Sequence, residues 1–188
     1  MNKRDEQKII IDCQKGNKEE FGRLYDWYVR KIYDFIYYKT HHKETAEDIT
    51  SRVFIKALEK IDTFDNSRGF FSAWIYQIAR NAVIDFYRTK KGDIGIDDIW
   101  DLVGNDNLER DIDVRQKLKS VEDYLKKLKS EQREIIMLRV WQEMPYKEIA
   151  EIIGKSEGSC KMMFSRTINE LRKEVPANLV LSILFLNL

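Results

Sequence analysis

Cysteine, proline and histidine are scarce in this chain, with two of each among 188 residues, and glycine is held to eight. So little proline and glycine disfavours an architecture of many short strands and tight turns, and leaves room for long helices. Cys13 and Cys160 lie far apart and in no metal-ligand spacing. Two lone thiols exclude a disulfide framework and fit a reducing cytoplasm. The histidines are the adjacent pair His41 and His42, which point in different directions and form no ligand set. They read as a loop pair, and no metal is expected. No run of ~18 apolar residues occurs, so no membrane span is expected. The start, MNKRDEQK, lacks the apolar stretch of a signal peptide. There is no Ser/His/Asp array, no phosphate-cradling glycine loop and no paired catalytic carboxylates. The expectation is a protein that is not an enzyme and carries no cofactor.

Charge and apolar surface are plentiful. Charged residues make up 35% of the chain and hydrophobic residues 43%, the balance of a globular protein with charge-rich helix surfaces. The net charge of +1 conceals a sorted distribution. Residues 80–91 carry four cations against Asp85, net +3. Residues 92–113 carry eight acids against Arg110, net −7. Residues 155–173 carry five cations against two acids, again net +3. This basic, acidic, basic order suggests two nucleic-acid-facing modules joined by an acidic connector.

Helical periodicity runs through residues 1–91. In 21–39, Phe21, Leu24, Tyr25, Tyr28, Ile32, Phe35 and Ile36 form one apolar stripe. In 43–61, Ala46, Ile49, Val53, Ala57 and Ile61 form another, with Thr45 and Asp48 as a capping pair at its start. TFDNSRG (63–69) reads as a loop. The next segment, 70–91, buries Ile75, Ile78, Ala79, Ala82 and Phe86. Residues 92–118 hold three glycines, two asparagines and the acid run, and read as a linker whose scattered Ile, Leu, Val and Trp100 lie against something. Helical spacing resumes over 119–174, with Leu118, Val121, Tyr124, Leu125 and Leu128 in one stripe and Ser130 as the N-cap of a helix over 131–142.

The clearest local motif is YKEIAEIIGKSEGSCKMMFSRTINELRKE (146–174). Ile149, Ala150 and Ile153 make one apolar face, Gly154 supplies the turn, and Ser156 caps a second helix. Cys160, Phe164, Ile168 and Leu171 continue the apolar face, so Cys160 is a small buried hydrophobe. The pattern is a helix-turn-helix. Its second helix presents Glu157, Ser159, Lys161, Met162, Ser165 and Arg166 outward, which suits phosphate contact and base reading in a major groove. A solvated basic αα-hairpin has the same outline. In the first half, Asn81, Asp85 and Arg88 fall at i, i+4 and i+7 on one polar line, flanked by Arg80, Tyr87 and Lys91. Asn reads base edges, Arg holds phosphate, and Tyr76 and Tyr87 are placed to stack on unpaired bases. A solvated face with i,i+4 pairs has the same residues.

AEDITSRVFIKALEKIDTF with FSAWIYQIARNAVIDFYRTKK resembles the region 2 helices of bacterial sigma factors. EQREIIMLRVWQEMPYKEIAEIIGKSEGSCKMMFSRTINELRKE resembles their region 4. Size, two modules and the missing middle domain resemble the small extracytoplasmic-function group. The resemblance spans about residues 18–91 and 119–174.

It implies an all-α, two-domain transcription initiation factor. Region 2 would occupy 1–91, an acidic linker 92–118, region 4 119–174 and an apolar tail 175–188. The implied partners are RNA polymerase core, through its β′ clamp and β flap, and promoter DNA, with an anti-sigma factor as a further partner. By the same resemblance, Asp48, Ser51 and Arg52 lie where region 2 meets the polymerase clamp. The family often has Gln and an acid at the positions of Ser51 and Arg52. Asn81, Asp85 and Arg88 match the Asn-x-x-x-Asp-x-x-Arg pattern facing −10 DNA, and the loop with Asn66 and Ser67 matches the segment that captures a flipped-out base. Ser159, Lys161, Met162, Ser165 and Arg166 fall on the −35-reading helix, where Met163 replaces a common Arg. The linker, whose residues 92–113 are net −7, is expected to thread a positive polymerase channel as an RNA mimic. The tail ANLVLSILFLNL would be about 18 Å long as a helix, too short for a ~30 Å hydrocarbon core. Its readings are docking on its own region 4 or the linker, binding a partner, or interfacial membrane contact. The implied location is cytoplasmic. Two other readings stand beside this one: a stand-alone helix-turn-helix regulator that binds duplex DNA as a dimer, and a protein–protein module acting through the tail.

Overall fold

A computed structural model of the chain describes residues 2–40, 42–91 and 127–174. The acidic stretch 92–118, the residues Leu118, Val121, Tyr124 and Leu125, His41 and the tail 175–188 lie outside the described residues. The chain divides into two compact units, Met1–Ile94 and Gly95–Leu188. The described residues of both are helical and include no strand, as the periodicity predicts.

The first unit contains α1 (Lys3–Gln14), α2 (Phe21–Thr40), α3 (Lys43–Lys60) and α4 (Phe71–Lys91), with 3-10 turns at Lys18–Glu20 and Ile61–Thr63. Asn2 opens α1, its side-chain oxygen accepting from the Asp5 amide at 2.9 Å. At the start of α3 the predicted Thr45–Asp48 pair is replaced. His42 is the N-cap, with its Nδ1 accepting from the Thr45 amide at 3.3 Å. Asp48 is turned away and ion-paired to Arg52. The core joins Leu24, Ile32, Phe35 and Ile36 of α2 to Ala46, Ile49, Val53 and Ala57 of α3 and Ile75, Tyr76 and Ala79 of α4. The α2 stripe departs from expectation at Tyr25, which is 43% exposed and meets Phe54 edge-on. The α4 stripe also departs. Ala82 and Phe86 are half-buried, while Val83, Ile84 and Tyr87 are buried. α4 packs against both α2 and α3, so its covered face is wider than one helical stripe.

Phe71, the first residue of α4, is buried beneath three rings. Tyr28 lies 5.5 Å from it, Phe64 5.5 Å and Trp74 5.4 Å, centroid to centroid, all within the range of favourable aromatic pairs.

The second unit contains α5 (Ser130–Ile136), α6 (Tyr146–Ile153) and α7 (Glu157–Glu174). Ser130 is not a cap. It is the first helical residue and is buried, and the N-cap is Lys129, whose amide donates to the Gln132 side-chain oxygen at 3.0 Å. The helix predicted over 131–142 is not uniform. It widens into a π turn at Met137–Trp141, closed by the Gln142 amide donating to the Met137 carbonyl at 3.2 Å. Leu128, Ile135, Ile136, Leu138, Ile149, Ile153, Cys160, Ile168 and Leu171 form the core.

Truncation at the aromatic cluster is the sharpest packing test. Phe71→Ala is expected to destabilise the first unit by about 3–5 kcal/mol, the usual cost of deleting a buried ring. Denaturant unfolding followed by tryptophan fluorescence measures it; a loss below 1 kcal/mol would remove Phe71 from the core.

Candidate nucleic-acid interface

On α3, residues at i, i+3 and i+4 bring Asp48, Ser51 and Arg52 to one exposed face. Arg52 holds Asp48 through two contacts, at 2.7 and 3.2 Å. The Ser51 hydroxyl is turned back to the Glu47 carbonyl at 3.0 Å. Ile55, one turn further, is 58% exposed, an apolar neighbour to this polar set that the sequence reading left out.

The loop between Thr63 and Phe71 is organised by Asp65. Its carboxylate accepts from the Ser67 amide at 2.8 Å and from the Ser67 hydroxyl at 2.7 Å, and is ion-paired to Arg68 at 3.0 Å. These contacts hold the Asp65 carboxyl below the usual carboxylate range, the Ser67 hydroxyl contributing most. Ser67 is exposed and Asn66 half-buried. Asp65 was legible as an aspartate two residues before a serine, the pattern of an Asx turn.

Asn81, Asp85 and Arg88 stand exposed along α4. No hydrogen bond or ion pair among the described residues involves their side chains. The tyrosines expected to stack on bases are elsewhere. Tyr76 is 0% exposed, packed edge-on against Phe35 at 5.1 Å, and burial pushes its hydroxyl far above its usual range. Tyr87 is buried too and donates to the Lys39 carbonyl at 3.0 Å. Packing between α2 and α4 claims both rings, so neither offers a free face. The exposed polar line stands without them.

In the second unit, Gly154 ends α6 at φ 76° and ψ 37°, the left-handed conformation that favours glycine. Its amide and that of Lys155 both donate to the Ala150 carbonyl, at 2.9 and 3.0 Å. The Ser156 hydroxyl then accepts from the Ser159 amide at 3.2 Å and donates to the Ser159 hydroxyl at 2.9 Å. Both expected turn devices are present. Ser159 therefore serves in the cap as well as on the presented face. Lys161, Met162, Ser165 and Arg166 are exposed, Met162 to 54%. Cys160 is fully buried, and burial raises its thiol.

Two features here escaped the sequence reading. Glu157 holds Lys161 at 2.6 Å across one helical turn. Arg139 donates to the Met144 carbonyl at 3.1 Å while covering the Tyr146 ring at 5.0 Å. It thereby fixes the chain before α6, where Glu143 adopts φ 51°. Glu157 and Lys161 were readable as an i,i+4 pair; the Arg139 contacts had no local signal.

Within the first unit one exposed surface combines an asparagine, an aspartate and an arginine without side-chain partners among the described residues. Another presents an Asp–Arg pair beside an exposed isoleucine. The second unit offers a helix-turn-helix with a polar and cationic face. Such surfaces suit backbone positioning and base-edge reading.

Residues 24–92 match the family description Sigma-70 region 2, and residues 118–171 match Sigma-70, region 4. The ECF RNA polymerase sigma factor SigW of Bacillus subtilis (strain 168) is 32% identical over 180 residues, 90% of this chain and 96% of SigW. The ECF RNA polymerase sigma factor BldN of Streptomyces coelicolor is 33% identical over 172 residues, 89% of this chain; the alignment spans 65% of BldN. Among solved structures, CnrH in complex with the cytosolic domain of CnrY superposes with a TM-score of 0.65 at 23% identity, covering 88% of this chain and 93% of CnrH, a likeness of fold.

The Asp65 contacts carry a pH dependence. A carboxyl held low in the folded loop stabilises it above the ordinary carboxylate value, and that contribution is lost as pH falls through the folded value. The loop is thus expected to stay closed at neutral pH and to loosen only below about pH 4. Following the Ser67 amide by NMR through an acid titration tests this. An amide that moves at pH 6 would assign the transition to another group.

Proposed function

The chain belongs to the extracytoplasmic-function group of the sigma-70 family, and from that premise we propose how its surfaces share the work of transcription initiation. The chain binds RNA polymerase core and directs it to specific promoters. The first unit acts as region 2 and melts the −10 element. The second acts as region 4 and reads the −35 element. One observation carries this reading: a region 2 and a region 4 occur in one chain in family order, and each presents exposed polar side chains.

Asp48, Ser51 and Arg52 contact the polymerase clamp. The Asp48–Arg52 pair is half-exposed on both sides and so is cheaply exchanged for partner contacts. Asn66 and Ser67 belong to a loop that receives a base displaced from the −10 duplex, and Asn81, Asp85 and Arg88 line the strand beside it. Unpairing a base costs a few kcal/mol, so a loop already held by Asp65 lowers the cost of opening. On α7, Lys161 and Arg166 meet phosphate and base edges, with Ser159, Met162 and Ser165 completing the −35 surface. The β flap of polymerase is the further contact of region 4, and an anti-sigma factor is a regulatory partner.

Polymerase performs the bond-making step, and this chain supplies promoter choice without catalysis of its own. Its place of work is the cytoplasm; no helix among the described residues is long and apolar enough to cross a membrane. The acidic linker occupies a positive polymerase channel. Free chain binds promoters weakly, because two small modules must be ordered together at the moment of binding.

Purified chain mixed with bacterial core RNA polymerase is expected to bind tightly and to give new run-off transcripts from mixed genomic promoters. Asn81→Ala is expected to reduce those transcripts about tenfold, the scale of one lost base-edge contact. Lys161→Ala is expected to weaken binding on all sequences alike and to reduce the salt slope of binding by about 1. Absence of polymerase binding, with duplex DNA shifted by the chain alone, would replace this reading with a stand-alone regulator.

A further inference from the structure

The loop proposed to receive the displaced base lies inside the matched region 2, yet much of what holds it lies before residue 24, where that match begins. Gln14, the last residue of α1, directs its side-chain amide at the turn leading into the loop. Nε2 donates to the Ile61 carbonyl at 2.9 Å and to the Phe64 carbonyl at 2.7 Å. An amide nitrogen has two hydrogens, and both are used. Four residues further, Lys18 Nζ meets both carboxylate oxygens of Asp62, at 2.7 and 2.8 Å. At the other end of the loop, Lys3 lies 4.5 Å over the ring of Phe70. α1 and the turn after it therefore hold the loop at its start and at its end.

These contacts differ in weight. Lys18 and Asp62 are both about half-exposed, and such pairs contribute little to stability. Gln14 is partly buried, and its two acceptors are backbone carbonyls that fix where the loop leaves the 3-10 turn. The Ile61 carbonyl also accepts from the Phe64 amide at 3.1 Å, closing the turn itself. Gln14 thus ties α1 to the one segment whose direction sets the position of Asp65, Asn66 and Ser67. Phe64, whose carbonyl Gln14 holds, lies on the ring of Phe71 and so passes the constraint to the first turn of α4.

Resting on the base-capture reading above, we infer that α1 is a positioning element for promoter melting, with Gln14 as its principal positioning residue. It touches no DNA and acts through the loop.

The test compares promoter opening on two templates by the full chain with core polymerase, using a promoter found in the run-off assay. One template is fully duplex. The other is already unpaired over the −10 element, so that melting is not required. Gln14→Leu, similar in size but without donors, is expected to slow opening about tenfold on duplex, the scale of two lost neutral hydrogen bonds. It is expected to leave the unpaired template within about twofold, and binding to core polymerase unchanged. Equal slowing on both templates would overturn the inference, since general damage to the unit does not distinguish them. Should Gln14→Leu fail to fold, the exposed double variant Lys3→Ala with Lys18→Ala replaces it. That variant is expected to show the same duplex bias at about threefold, and absence of a bias overturns the inference. Asp65→Ala separates the two levels. If it slows duplex opening while the α1 variants do not, α1 has no positioning role. If Asp65→Ala leaves both templates alike, the base-capture reading fails and the inference with it.

Discussion

The burial of Phe71 is the constraint on which the first unit turns. Its ring is where three parts of the unit meet: Tyr28 from α2, Phe64 from the loop and Trp74 from α4. Tyr28 extends the connection by donating its hydroxyl to Glu6 of α1. A domain is stable by only about 5–15 kcal/mol, so one well-packed ring cluster is a large share of what holds it together. With Phe71 fixed, the rotation of α4 is fixed too. Ile75, Ala79 and Val83 then face the core, and Asn81, Asp85 and Arg88 are left facing outward. The outward polar line is a consequence of the inward apolar one.

The second unit reaches its arrangement by different means. Small residues, Ala150 and Cys160, lie buried where α6 and α7 meet, on either side of the left-handed turn at Gly154. The approach to α6 is held by polar and aromatic contacts instead of a large core. Arg139 both bonds the Met144 carbonyl and covers Tyr146, and Tyr146 in turn meets Phe164 of α7 at 5.9 Å. Widening of the helix into a π turn at Met137–Trp141 changes the rotation of its last residues relative to a regular helix.

What the sequence made legible follows the range of each interaction. The glycine turn and the Ser156 cap are local, and both appear as read. Several of the misreadings involve partners far along the chain. Tyr76 and Tyr87, lying beside cations and an asparagine, looked available for stacking. Their burial is decided by Phe35 and Lys39, more than forty residues earlier. Tyr25 fell on the apolar stripe by spacing, yet α3 covers only its edge. His42 took the capping role assigned to Thr45, and Lys129 the one assigned to Ser130, both of them local misreadings. Gln14 had no readable signal at all, because its acceptors are carbonyls 47 and 50 residues away. Asp65 is the exception, a short-range device in plain view within TFDNSRG.

The cations on the two proposed DNA-facing surfaces are not equivalent. Arg88 has no partner among the described residues, whereas Lys161 is held by Glu157. An exposed i,i+4 pair contributes about 0.3–0.5 kcal/mol, so parting Lys161 from Glu157 is cheap. The carboxylate itself is the larger matter. Glu157 lies in the first turn of α7, where it favours the helix through the macrodipole but repels any phosphate brought to the same amides. It therefore works against indiscriminate backbone binding, the component of affinity that carries no sequence information. By the resemblance, Met163 stands where an arginine is common, which would leave a further cation off the same helix. On the proposed reading, the second unit gives up phosphate affinity on both counts. Its promoter choice then depends more heavily on base-edge contacts and on being delivered to DNA by polymerase.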